Sequence, residues 1–337
     1  MGVKIVEILP RKEISVEHLA NRRVAVDAFN WIYQFLAIIR QPDGTPLRDS
    51  KGRVTSHLSG LFYRTAKLLE ARITPVYVFD GKPPELKYVT AERAERKLEA
   101  TVKWREALER GDEEEARKYA QQTSRLTAEM VKQAKELLEA MGVSVVQAPS
   151  EGEAQCAWFA KHKKVYAVAS QDTDSLLFGA PLLIRNLSIT GKRKIAGKKA
   201  FVDVEPQEMS LEAALRELDL TQDQLVMLGM LVGTDFNPGV KGVGPKTALK
   251  IVREEKTFEK VFAKVAAKWE GPDPKDVFEI FKKPPVDDLQ IIEHKLNPEK
   301  LRKMLVDEFE FSLDRVNKII DGLQKKPSQP GLGKWVK

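Results

Sequence analysis

The chain has 337 residues, 42% of them hydrophobic, enough to fill the core of one large domain or two smaller ones. Its net charge is +7, so positive surface is available to meet phosphates. A single cysteine, Cys156, excludes an internal disulfide and suggests a reducing compartment. No apolar stretch reaches membrane-spanning length and the N-terminus lacks a signal-peptide pattern, so no membrane partner is expected. The expected location is intracellular, in cytoplasm or nucleoid, or in the nucleus if the source is eukaryotic.

Short apolar runs alternate with helix-forming sequence over most of the first two hundred residues, the pattern of an α/β fold with a mainly parallel central sheet and helices on both faces. Strands are expected at 24–27, 75–79, 143–147, 165–169 and 181–186. Between the second and third, residues 82–140 are dense in Glu, Lys, Arg, Ala and Gln, open on Pro83-Pro84 and are interrupted only by Gly111. Two or three helices are expected there, inserted over the top of the sheet. Such a charge mixture is commonly a solvated face, but this one starts directly after Asp80 and brings Lys87, Arg93 and Arg96 towards whatever binds beside that acid. Cys156 lies among Ala154, Ala157, Trp158 and Phe159 on an expected helix and reads as core.

Residues 185–199 hold Arg185, Lys192, Arg193, Lys194, Lys198 and Lys199 with no acid among them. Gly191 and Gly197 suggest a hairpin or exposed loop there, either merely solvated or touching backbone phosphates. Further on, Gly242 and Gly244 permit a tight turn with successive N–H groups pointing outward. Pro245 opens the next helix and aims its positive end the same way, and Lys241, Lys246 and Lys250 add charge. A helix-hairpin-helix element that grips duplex phosphates regardless of sequence is expected, in preference to a plain Gly-rich turn.

Seven carboxylates stand at or just past the ends of short apolar runs or open the segment after them: Asp27, Asp80, Glu151, Glu153, Asp172, Asp174 and Asp235. In an open parallel sheet, ligands collect beyond the carboxyl ends of strands, so acids scattered along the chain can converge on one pocket. Each alone has a plainer reading. Ser150-Glu151-Gly152-Glu153 has capping-box spacing, and Asp27 or Asp172 could cap the helix that follows. Jointly they would be strongly destabilising without a cation, and an all-oxygen cluster suits Mg²⁺ or Mn²⁺ rather than zinc. Two such ions can activate a water, orient a phosphate and stabilise the leaving oxygen with no His, Cys or Ser nucleophile. His57 reads as a structural hydrogen-bonder, and Lys87 could meet charge developing on the phosphate oxygens.

The segments VAVD at 24–27, VFDGKPP at 78–84, APSEGEAQ at 148–155, SQDTDS at 170–175 and GTD at 233–235, followed by the glycine hairpin, closely resemble flap endonucleases of the structure-specific 5′ nuclease superfamily, most like the archaeal form. The resemblance covers essentially the whole chain. It implies a monomeric 5′ flap endonuclease, with 5′–3′ exonuclease activity, acting on flap and nicked DNA in Okazaki-fragment processing and repair. It implies two Mg²⁺ ions, with Mn²⁺ able to substitute: Asp27, Asp80, Glu151 and Glu153 would serve one, and Asp172, Asp174 and Asp235 the other. Tyr33 matches an aromatic on which a nucleotide stacks, Arg40 and Arg64 match DNA-contacting arginines, and Lys87 matches the basic residue beside the scissile phosphate. Glu151, Gly233 and Asp235 are counted among the DNA-contacting positions, with Lys192, Arg193, Lys194 and the hairpin residues. The family's second gateway base falls on Ala94 here, which leaves Arg93 or Arg96 for that role.

The resemblance divides the chain into an N-terminal nuclease region (1–98), cap helices (99–115), an internal nuclease region with the hairpin (116–258), a C-terminal helical part (259–325) and a tail (326–337). The gateway and cap together would run from 82 to about 126. Within the tail, Gln329, Leu332, Trp335 and Val336 fit the spacing that docks on a DNA sliding clamp. Two other readings compete: a clamp-tethered junction-binding scaffold without productive catalysis, which predicts loss of cluster acids, and a bubble or four-way-junction nuclease, which predicts a larger insertion.

Overall fold

The protein is described by a computed structural model over residues 2–41, 43–84, 90–120, 123, 125–189, 191–194 and 201–325, with 90–97, 105, 108, 113–114, 116–117, 192–194 and 201–202 described in backbone only. Its strands in chain order are β1 (Lys12–Glu13), β2 (Arg23–Asp27), β3 (Thr74–Phe79), β4 (Ser144–Gln147), β5 (Ala167–Ala169), β6 (Leu182–Arg185), β7 (Gly191–Lys194), β8 (Phe201–Val204) and β9 (Gln207–Ser210). Seven of them form one sheet in the order β1-β9-β6-β5-β2-β3-β4, while β7 and β8 pair as a separate antiparallel hairpin. The five strands β2 to β6 are parallel to their neighbours among themselves, and β9 and β1 add antiparallel to the β6 edge.

The expected mainly parallel sheet is therefore present, and its strands read as apolar runs because both faces are covered. Alternate residues serve opposite cores: Ala25, Val76, Val78, Val168 and Leu183 point to one, and Val24, Val26, Tyr77, Phe79, Ala169 and Ile184 to the other. The first core is closed by α6 (Gly152–Lys161), α9 (Gln222–Val232), α10 (Pro245–Glu255), α11 (Phe258–Val265) and α12 (Pro274–Lys282). The second is closed by α1 (Ala28–Ile38), α2 (Ser56–Glu70), α5 (Ala128–Ala140), α13 (Pro298–Arg302) and α14 (Leu313–Gln324). Cys156 is buried in the first, and burial pushes its thiol pKa up.

The chain steps β2 to β3 to β4 in one direction and β5 to β6 in the other, so strand order reverses between β2 and β5. That switch point is where an open α/β sheet leaves a crevice.

Three features differ from the expectations. β1 and β9 carry no apolar alternation, so the sequence pattern gives no sign of them. β5 starts two residues later than the apolar run, at Ala167. Asp235, grouped in sequence with acids converging at strand ends, follows a helix, α9. The insertion holds α3 (Thr90–Glu109) and α4 (Glu113–Ala120), which meet at Gly111 with φ +71°, and then α5. The expected divisions at 98/99, 115/116 and 258/259 fall inside α3, α4 and α11. Among the described residues no helix is long and apolar enough to cross a membrane.

Candidate active site

Asp27 ends β2 and caps α1, accepting the Asn30 backbone N–H at 3.0 Å. Asp80, one residue beyond β3, accepts the backbone N–H of Gly152 at 2.8 Å and so is tied to the first turn of α6. A Cβ on Gly152 would stand 2.7 Å from Asp80 Oδ1, so only glycine permits this approach. Glu151 is the N-cap residue of α6, yet its own side chain does not cap that helix. The plainer capping-box reading thus fails: Glu153 turns into the crevice and accepts from Ser170 Oγ at 3.0 Å.

Asp172 lies in the turn after β5 and accepts from Asn30 Nδ2 at 2.8 Å, and the N-cap residue of the next helix is Thr173. Asp174 opens that helix, α7 (Asp174–Leu177), and accepts the Val3 N–H at 2.6 Å. Asp235 is set by the turn after α9, in which Thr234 Oγ1 bonds Asn237 Oδ1 at 2.8 Å. Gly233 in that turn has φ +109°, and a Cβ there would stand 2.8 Å from the Pro238 carbonyl oxygen.

The acids feel one another. Asp27 and Asp174 are each only 5% exposed. Burial first, then the charges of Asp80 and Asp172, raise Asp27 to a pKa of about 8. Burial, then Asp172 and Asp235, raise Asp174 to about 7. Glu153 is pushed well up by burial and by Asp174, Asp27, Asp172 and Asp235 in turn. Six of the seven acids are therefore electrostatic neighbours, and Glu151 stands two residues from Glu153 on the same helix start. Carboxylates held protonated by burial and like charge are what a hard divalent cation, bringing its own charge, would ionise. The donor set is all oxygen, which fits Mg²⁺ or Mn²⁺. Among the described residues no three acids already close into a finished cage.

Around this cluster, Tyr33 is 38% exposed on α1. Arg40 spends its guanidinium on the protein itself, donating to the carbonyls of Leu36 (2.9 Å) and Gly44 (2.8 Å), and half-burial lowers its pKa as it does that of Arg64 on α2. Neither arginine is thereby barred from a phosphate, but Arg40 acts first as a brace for the loop after α1. In the hairpin, Gly242 has φ +81°, Gly244 is the N-cap of α10 and Pro245 is its first residue. A Cβ at Gly242 or Gly244 would meet nothing within 4 Å. Gly244 has an extended backbone, so its expected turn-forming role falls to Gly242. Lys241, Lys246 and Lys250 are exposed, Lys250 beside Glu254 at 3.8 Å.

His57 is fully buried and pairs through Nε2 with Gln133 Oε1 at 3.0 Å; burial lowers its pKa to about 4. Lys87, Gln329, Leu332, Trp335 and Val336 lie outside the described residues, as do the side chains of Arg93, Arg96, Lys192, Arg193 and Lys194. Two site residues escape a reading of the sequence. Asn30 and Ser170 carry no charge, and their only signal is proximity in sequence to Asp27 and Asp172.

A parallel sheet that gathers buried acids at its switch point, with an exposed lysine-bearing helix-hairpin-helix just beyond the last of them, defines a nuclease that works on nucleic-acid backbones. Residues 1–100 match the XPG N-terminal domain and 142–235 the XPG I-region. Flap endonuclease 1 of Pyrococcus furiosus is 53% identical over 346 aligned positions that cover all of both chains. That of Thermococcus onnurineus is 54% identical over 96% of this chain and 95% of its own. Among solved structures, flap endonuclease-1 from Methanococcus jannaschii matches with a TM-score of 0.75 at 42% identity, over 96% of this chain and 98% of that one. The catalytic core of Rad2 in complex with DNA substrate matches at 0.67 and 24% identity, over 95% and 97%, a likeness of fold alone. The chain belongs to the flap endonuclease 1 family.

Proposed function

We propose that the chain is a structure-specific 5′ flap endonuclease that hydrolyses one phosphodiester bond at a single-strand/double-strand junction, using two divalent ions, Mg²⁺ foremost, in replication and repair. The observation that carries the reading is the set of buried and half-buried carboxylates at the switch point, with Asp27 at about 8 and Asp174 at about 7. Asp27, Asp80, Glu151 and Glu153 would hold one ion and Asp172, Asp174 and Asp235 the other. When bound, the ions supply an activated water and charge to stabilise the leaving oxygen.

The protein's own groups do the rest. Exposed Tyr33 offers a face for a nucleotide near the acids. The hairpin presents backbone N–H groups and three exposed lysines to duplex phosphates, which position the substrate without reading its bases. Lys87, with Arg93 or Arg96 in support, is assigned to the scissile phosphate, where a fixed cation favours the transition state. Arg40, Arg64, Gly233 and the basic hairpin with Lys192, Arg193 and Lys194 are assigned to DNA contact. The tail is assigned to a sliding clamp through Gln329, Leu332, Trp335 and Val336, and the protein to action as a monomer. The divisions at 98/99, 115/116, 258/259 and 325/326 are kept as functional regions, with the cap between the two nuclease regions.

The scaffold reading is disfavoured because all seven acids are present. The test is cleavage of a 5′-labelled double flap with Mg²⁺ and with EDTA. A single major incision at the flap base that needs Mg²⁺ is expected; cleavage that persists in EDTA, or equal cutting of bubbles and four-way junctions, would overturn it.

A further inference from the structure

Asn30 sits in the first turn of α1 and makes three bonds, each to the acid-bearing elements. Its backbone N–H donates to Asp27 Oδ1 (3.0 Å), its side-chain Nδ2 donates to Asp172 Oδ2 (2.8 Å), and its Oδ1 accepts the backbone N–H of Gln171 (3.2 Å). One residue thereby links the carboxylate at the end of β2 to the one in the turn after β5, across the switch point of the sheet. We propose that Asn30 is a positioning residue for the metal pair, fixing the orientation of the Asp172 carboxylate relative to Asp27. The proposal rests on the metal reading above.

The turn that carries Asp172 does not depend on Asn30 alone for its path. The Gln171 carbonyl accepts from Arg185 Nε at 2.9 Å, the Gln171 side chain donates to Ser188 Oγ at 3.3 Å, and the Asp172 N–H donates to Ser170 Oγ at 3.2 Å. Asn30 itself is only partly buried, so an apolar side chain of like size is tolerated there. Its backbone bond to Asp27 survives any side-chain change. Replacing Asn30 therefore leaves α1 capped and the other bonds of the turn in place, and removes one anchor of the Asp172 carboxylate and the acceptor of the Gln171 N–H. Outer partners of metal-binding carboxylates set ligand orientation, and losing one commonly lowers metal affinity by about 10- to 100-fold.

The experiment measures Mn²⁺ uptake by the full-length, DNA-free protein from the electron paramagnetic resonance signal of free Mn²⁺. Wild type is compared with Asn30→Leu, Asn30→Ala and Asp174→Asn, each checked for native circular dichroism. Both Asn30 variants should bind Mn²⁺ about 10- to 100-fold more weakly than wild type, and the Mg²⁺ concentration for half-maximal flap cleavage should rise while the rate recovers at high Mg²⁺. Asn30→Ala keeps the test open should Asn30→Leu fail to fold. Mn²⁺ affinity and Mg²⁺ requirement equal to wild type in a folded Asn30 variant would overturn the positioning role and leave the metal reading standing. Wild type that takes up no Mn²⁺, or Asp174→Asn that binds as tightly as wild type, would overturn the metal reading and this proposal with it.

Discussion

Asp174→Asn should make the metal-free protein more stable while removing its activity. The asparagine keeps the side chain's size, and its Oδ1 can still accept the Val3 N–H that Asp174 accepts at 2.6 Å, so only the charge is removed. That charge is unfavourable in the fold: burial, Asp172 and Asp235 raise the pKa from 3.8 to about 7. At about 1.4 kcal/mol per unit, the ionised group destabilises the metal-free fold by at most about 4 kcal/mol. The sign follows from linkage. A raised folded pKa leaves stability untouched below pH 3.8 and removes it progressively as pH climbs from 3.8 to 7, with the full loss above 7. Guanidinium unfolding in EDTA at pH 8 should therefore favour Asp174→Asn over wild type, and the difference should shrink towards nothing near pH 4. Adding Mg²⁺ should stabilise wild type by mass action and the variant much less, reversing or closing the gap. A variant that is less stable than wild type in EDTA at pH 8 would refute the picture of an electrostatically strained cluster.

Three further outcomes are expected. Replacing Lys241, Lys246 and Lys250 with alanine should weaken DNA binding for every sequence alike and flatten the log-affinity against log-salt slope by about 0.9 for each phosphate no longer neutralised; an unchanged slope would mean these lysines face only solvent. His57 is neutral in the fold, with a pKa lowered from 6.5 to about 4, so stability present above pH 6.5 should fall as pH drops towards 4, by about 3 kcal/mol in all. His57→Gln should lose that pH-dependent component in denaturant titrations, and an unaltered pH profile would contradict it. Deleting residues 329–337 should leave cleavage of a naked flap unchanged but abolish stimulation by the sliding clamp, and Trp335→Ala should reproduce most of that loss because one aromatic anchor dominates a small interface; a truncated protein still fully stimulated would refute the tether.

The parts of the fold legible in sequence are those whose physics is local. β2 to β6 declare themselves because a strand covered on both faces is a short unbroken apolar run, and the three helices after Asp80 because their residues favour helix and Gly111 marks the break. β1 and β9 stay hidden because β1 is a two-residue edge strand and β9, paired between β1 and β6, is four residues of which only Met209 is apolar. Asp235 reads in sequence only as following an apolar run, since Leu231-Val232 alone cannot tell a strand from the last turn of a buried helix. The capping box at Ser150 to Glu153 fails because a tertiary partner, Ser170, outcompetes the local one for Glu153. Asn30 shows the same limit more sharply. Its side-chain bond runs to a residue 142 positions away, and nothing in its neighbourhood foretells it. The acids are visible as a set because their charge makes a shared purpose necessary, whereas the neutral groups that orient them gain meaning only once the sheet has folded.

The most direct test of the account is a crystal structure of the protein with a 5′-flap DNA and Mn²⁺, located by anomalous scattering. Two Mn²⁺ peaks about 4 Å apart, one beside Asp27, Asp80, Glu151 and Glu153 and the other beside Asp172, Asp174 and Asp235, with the scissile phosphate against them, are predicted. Manganese found elsewhere, or a scissile phosphate bound away from the switch point of the sheet, would contradict it.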